Sequence, residues 1–123
     1  MHPRVLLADT LRALGTLPAR TVVYDHPADV TKLPAVVIQA AGVVADTLDK
    51  DRYTLEATCM VQRANLAAGY TALDNTTAAI RVGVFGSIFR FVESGAYEQG
   101  EQNGLETLQC TMSLDAVGVT QGE

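Results

Sequence analysis

Hydrophobic positions change their spacing several times along this chain, and each change marks an element. After Pro3, a residue suited to a first helical turn, Val5, Leu6, Ala8, Leu11 and Leu14 recur at helical spacing. They predict an amphipathic helix that Gly15 ends. Residues 15–20 read as a connector and Thr21 to Tyr24 as a short strand. Residues 25–32 form a loop in which Pro27 holds His26 extended. Next comes the most hydrophobic run of the chain, Leu33 to Gly42, opened by Pro34 and closed by Gly42, with Gln39 its one polar side chain. Val36, Val37 and Ile38 show no alternation, which predicts a strand covered on both faces.

Asp46 to Arg52 is charged and reads as a turn or hairpin tip. The strand predicted from Tyr53 to Gln62 alternates: Tyr53, Leu55, Ala57, Cys59 and Val61 on one face, Thr54, Glu56, Thr58 and Gln62 on the other, with Met60 out of place among the polar positions. Residues 63–69 read as a loop. A second helix is expected from Tyr70 to Phe85, with Leu73, Thr77, Ile80 and Val84 on one face and Gly83 and Gly86 weakening its end. A strand follows from Ser87 to Glu93, then a glycine-rich, mobile connection from Ser94 to Gly104. The last strand, Leu105 to Val119, again alternates, with Leu108, Cys110, Met112, Leu114 and Ala116 inward and Thr107, Gln109, Thr111, Ser113 and Asp115 outward. The expected architecture is one α+β domain over residues 1–123, with a mostly antiparallel five-stranded sheet and two helices packed on the face that carries Leu55, Cys59, Cys110 and Met112.

Composition narrows the function more than the fold. The chain is 48% hydrophobic and 19% charged, which fits a globular domain, not a disordered one. No apolar run reaches the roughly 18 residues of a membrane span, and the absence of a signal peptide leads us to expect cytosolic synthesis, which a virion component would share. The formal charge is −5, and the nine basic residues are scattered, whereas tight DNA binding needs clustered cations. Cys59 and Cys110 fall on apolar strand positions outside any C-x-x-C pair and read as buried, reduced thiols.

Catalytic equipment is sparse. His2 and His26 are the only histidines, and neither has a Ser or Cys at recognisable catalytic spacing. There is no nucleophile elbow, no zinc-protease motif and no phosphate-binding loop. Asp46, Asp49 and Asp51 crowd together as a hard cation would require, but Lys50 and Arg52 interleave and the glycine of a calcium loop is missing. The reading is of a protein that is not an enzyme and holds no metal.

Taken together, these patterns resemble the tail terminator, or tail completion, proteins of long-tailed bacteriophages. The resemblance runs over nearly the whole chain. It lies in the N-terminal helix, "LPAVVI" as a Pro-headed strand, "DRYTLEATCMVQRAN" as an alternating strand, "YTALDNTTAAI" as a helix, and "GAYEQGEQNGLETLQCTMSLDAVG" as a closing strand after a glycine-rich connection. What it implies is a homo-oligomer, a hexameric ring, that caps the tail tube, ends its polymerisation and forms the joint to the head. The implied partners are the tail tube protein and a head-completion or neck protein. DNA passes through without specific binding, and no cofactor is expected. The implied location is the head-proximal end of the virion tail, after assembly in the host cytoplasm. Two protruding polar segments supply the expected subunit or tube contacts: Asp46, Asp49, Lys50, Asp51 and Arg52, and Tyr97, Glu98 and Glu101. The outward face, Thr54, Glu56, Thr58, Gln62, Thr107, Gln109, Thr111, Ser113 and Asp115, has no lysine or arginine and is the expected bore lining. A head-side neck or head-closure protein, and a bacterial ligand-binding or enzymatic α+β domain, are the alternatives.

Overall fold

The computed structural model describes residues 2–45 and 50–120. Along the chain lie α1 (Pro3–Arg12), β1 (Val22–Tyr24), β2 (Ala35–Ala45), β3 (Lys50–Gln62), α2 (Leu66–Gly83), β4 (Phe89–Ser94), β5 (Glu98–Gln102) and β6 (Leu105–Thr120). This is an α+β arrangement in which the strands make one six-stranded sheet, ordered β1-β2-β3-β6-β4, with β5 also paired to β6. Every pairing is antiparallel except β1 with β2.

The long central pair explains the core. Register sets Leu55 against Leu114, Ala57 against Met112, Cys59 against Cys110 and Val61 against Leu108. Cross-strand partners share a face, so both alternating patterns deliver their apolar side chains to the same side, where all of these residues are buried. Leu7, Ala8 and Leu11 of α1 and Leu73 and Ile80 of α2 join them in one cluster. The expected core of Leu55, Cys59, Cys110 and Met112 is therefore observed, with both helices contributing to it.

The apolar run of β2 is covered on both faces, but only over its first half. Val36 and Ile38 enter the main cluster, while Ala35 and Val37 enter a smaller one with Val30 and Met60 on the opposite side. The connection from β1 to β2 builds this second cluster: a 3-10 turn at Pro27–Asp29 leads into Val30, which packs there. Met60 is thus apolar on a polar-parity position because this patch of the second face is also buried. From Gln39 onward the cover ends, and Gln39 and Ala40 are exposed.

Several boundaries differ from the sequence reading, each for a local reason. In α1 the buried stripe runs through Leu7, Ala8 and Leu11, and Leu6 is exposed. Helix α2 begins at Leu66, inside the expected loop, because the Asn65 side chain caps it by accepting the Ala68 N–H at 3.2 Å. Its stripe buries Thr76 rather than Thr77, and the Thr76 hydroxyl donates to the Ala72 carbonyl at 2.7 Å. The expected mobile connection contains β5, which turns into β6 through Asn103 and Gly104. Both have positive φ, 51° and 85°, the pair of conformations a tight hairpin turn favours. The sheet accordingly has six strands where five were expected. Lys50, Asp51 and Arg52 belong to β3 rather than to a turn.

Truncating Leu55 to Ala removes a fully buried side chain at the centre of the β3–β6 pair. The expected loss is about 2–5 kcal/mol, read from a urea titration, and a loss below about 0.5 kcal/mol contradicts this packing.

Candidate functional site

The surfaces that remain after the core is built are of three kinds, and the first is the polar side of the central strands. There, β3 and β6 set Thr54 against Asp115, Glu56 against Ser113 and Thr58 against Thr111. The hydroxyls of Thr58 and Thr111 lie 3.1 Å apart. Thr54, Glu56, Thr58, Thr111, Ser113 and Asp115 are half-buried rather than open, and Gln62 is exposed. Thr107 departs from the expectation of an outward, exposed position, because it is completely buried. Its hydroxyl donates to Gln109 Oε1 at 3.0 Å, and the Gln109 amide packs so closely over Gly100 of β5 that a Cβ there would stand 3.0 Å from its oxygen. Gln109 is thus occupied inside the fold as well. Arg90 of β4 pairs in register with Asp115, so the polar face is bordered by a cation that β3 and β6 alone do not reveal.

The second surface is an arm. Beyond Gln39 the hairpin of β2 and β3 continues, accompanied by the end of β6, with Ala45 opposite Asp51 and Lys50 opposite Thr120. A bulge between Ala40 and Gly42 shifts the alternation. Val43 then pairs with Tyr53 and Val44 with Arg52, so the two valines point to opposite sides of the arm. They are 54% and 55% exposed, and Arg52 is exposed beside Val44. Of the expected contact residues, Lys50, Asp51 and Arg52 lie on this arm, whereas Asp46 and Asp49 lie outside the described residues.

The third surface is the open edge made by β4 and β5. Glu98 and Glu101 are exposed on β5 as expected. Tyr97 is not a free contact residue. Its hydroxyl donates to Asp74 Oδ1 at 2.5 Å and its ring lies 5.4 Å from that of Tyr70, which pins the connection to α2. Desolvation, with the bond to Asp74 second, pushes the Tyr97 hydroxyl up to about 12.

The structure also presents groups that sequence reading does not single out. Phe85, 91% exposed, and Val82, 76% exposed, project from the C-terminal end of α2. At the opposite end of the sheet a groove of about 740 Å³ is rimmed by Arg20, Lys32 and Arg63 over a floor that includes Leu33 and Leu105. Arg63 bonds Glu106 at 3.0 Å. Arg20 is held at φ 69° in a turn that the Thr21 N–H closes onto the Pro18 carbonyl at 3.2 Å. A non-glycine residue there costs roughly 1–2 kcal/mol, and such strain is a reason to look for function. That φ cannot be read from composition.

Both histidines cap the start of a helical segment. His2 Nδ1 accepts the Arg4 N–H at 3.0 Å and caps α1, and His26 Nδ1 accepts the Ala28 N–H at 3.1 Å. The thiols of Cys59 and Cys110 are buried and reduced, and burial, with the facing Cys110 second, pushes the Cys59 thiol well above its ordinary value. Among the described residues no group of three His, Cys, Asp or Glu could hold a metal ion, and no helix is long and apolar enough to cross a membrane. No protein-family model matches the chain, and no curated protein matches it.

Both raised groups are favoured in the neutral form by folding. Their contribution is complete below the ordinary values of 9.0 for the Cys59 thiol and 10.0 for the Tyr97 hydroxyl, and fades as pH rises through the folded-state values. Stability in urea should therefore show no contribution from these two groups to its pH dependence below about pH 8 and should fall above about pH 9. Tyr97→Phe should lessen the decline above about pH 10; an identical alkaline profile in that variant contradicts a raised Tyr97 hydroxyl.

Proposed function

We propose that the chain is a structural ring subunit that caps the tail tube of a long-tailed bacteriophage, ends its growth and forms the joint to the head. The observation that carries this reading is the arm. A three-stranded extension with half-exposed valines on both sides has a cost for an isolated subunit, since each forgoes part of the roughly 1.5–3 kcal/mol that full burial of such a side chain is worth. One exposed valine on each side of the arm gives each side an apolar contact point for another macromolecule. Val43 and Val44 would pack on a neighbouring subunit or on the tube, with Lys50, Asp51 and Arg52 setting the approach. Glu98 and Glu101 supply polar contacts at the other edge. The hexamer, the tube and neck partners and the virion location belong to this same proposal, drawn from the resemblance in strand and helix pattern.

The polar face complements the arm. Thr54, Glu56, Thr58, Thr111, Ser113 and Asp115 offer hydroxyls and carboxylates, which hold no phosphate in a fixed register, as a passage for DNA requires. In this proposal they line or approach the bore, whereas Thr107 and Gln109 act as its support.

Growing tail tubes in the presence of the purified protein test the capping role. Added protein should fix tube length. Val43→Ser with Val44→Ser should leave the urea midpoint nearly unchanged and weaken capping by tenfold or more, a loss of about 1.4 kcal/mol in binding. Wild-type capping by a folded double variant contradicts the role of the arm. For the bore, Thr54→Arg with Ser113→Arg should leave capping intact and slow genome ejection, most at low salt where screening is weak. Unchanged ejection from fully assembled particles places this face elsewhere.

A further inference from the structure

Charge is unevenly divided in this chain. From Phe91 to Asp115 it carries Glu93, Glu98, Glu101, Glu106 and Asp115 and no lysine or arginine, so every basic residue lies at or before Arg90. In the fold, Glu93 sits on β4 and Glu98 and Glu101 on β5, the two strands that lie along the outer side of β6; β4 also carries Arg90, which stands in register with Asp115, so three carboxylates face one cation along this edge. All three are exposed, and none forms an ion pair among the described residues. This edge is also open, whereas part of the β1 edge is already taken: the Val23 carbonyl accepts Arg12 Nε and Nη2 at 3.2 and 2.9 Å.

The groove is the counterpart. Arg20 and Lys32 on its rim have no ion-pair partner among the described residues, while Arg63 is held by Glu106. Leu33 and Leu105 give it a partly apolar floor. The strained turn of Arg20 places one of these two unpaired cations at the mouth of the groove.

We infer that copies of the chain meet head to tail, the acidic β4–β5 edge of one seated against the basic groove of the next. This rests on the ring reading above and names the contact that would build the ring. The two surfaces are different patches of one subunit, so the contact is heterologous, the kind that closes into a ring when the rotation permits and otherwise continues as a filament. Complementary charge also overcomes the repulsion between copies that each carry −5. Opposite charge alone sets steering and register, and the apolar floor supplies the remainder of the contact.

A charge swap tests it by analytical ultracentrifugation. Wild type should assemble, and salt raised to about 0.5 M should weaken assembly roughly tenfold. Arg20→Glu with Lys32→Glu should be monomeric, and so should Glu93→Lys with Glu98→Lys and Glu101→Lys. Mixed together, the two monomeric variants should assemble, because each mixed contact again joins opposite charges, and that recovery also shows both are folded. Arg20→Gly, which suits the positive φ of the turn, should keep stability and weaken assembly. If either charge-reversed variant assembles alone as wild type does, or if their mixture stays monomeric, this contact is wrong while the ring reading stands. A wild-type protein that is monomeric at every concentration removes both. Acidic peptide that binds the wild-type groove without affecting self-association assigns the groove to another partner and overturns the inference.

Discussion

The fold depends on one constraint, the register of β3 against β6. With Cys59 opposite Cys110 and Leu55 opposite Leu114, the apolar halves of two long alternating strands coincide, and the helices have one continuous surface on which to pack. A slip of one residue would send the whole set to the opposite face. The same register puts Thr58 beside Thr111 and Glu56 beside Ser113, so the polar face is as much a product of that pairing as the core is. Two thiols are brought face to face in the centre; burial pushes that of Cys59 up, and both act there as small apolar groups.

What the core leaves over is where function is sought. The central strands outrun the helices, and the extension carries Val43 and Val44 into solvent. Phe85 and Val82 do the same at the end of α2. A fold that buries Leu7, Ile38 and Met112 completely and yet leaves these side chains open offers apolar surface that the proposed assembly would use. The histidines act as helix caps, and the proposed role is one of contact and passage.

Much of this was legible from spacing. Period two gave the parity of β3 and β6, and a buried run with Pro34 at its head gave β2. Other features depend on what spacing does not encode. Strand β5 reads Glu98-Gln99-Gly100-Glu101-Gln102, with no apolar member, and it is a strand because β6 offers it an edge; the Asn103-Gly104 turn was the one local signal for it. Val43 and Val44 look like core by composition, but the bulge at residues 40–42 and the end of the helical layer leave them open. Tyr97 looked protruding because nothing in its neighbourhood points to Asp74, which lies across the fold on α2. Arg20, Lys32 and Arg63 are scattered in sequence and meet only when β2, β3 and β6 bring their ends together. Thr107 kept its parity but not its exposure, since Gln109 folds over it.

The central claim is that these exposed surfaces exist to build a ring at the end of a tube. Electron microscopy of the purified protein, imaged alone and after incubation with tail tubes, addresses it most directly. The account predicts annular particles with an open bore and a matching disc of density at one end of each tube. Isolated particles of single-subunit size, with tube ends unaltered, would contradict it.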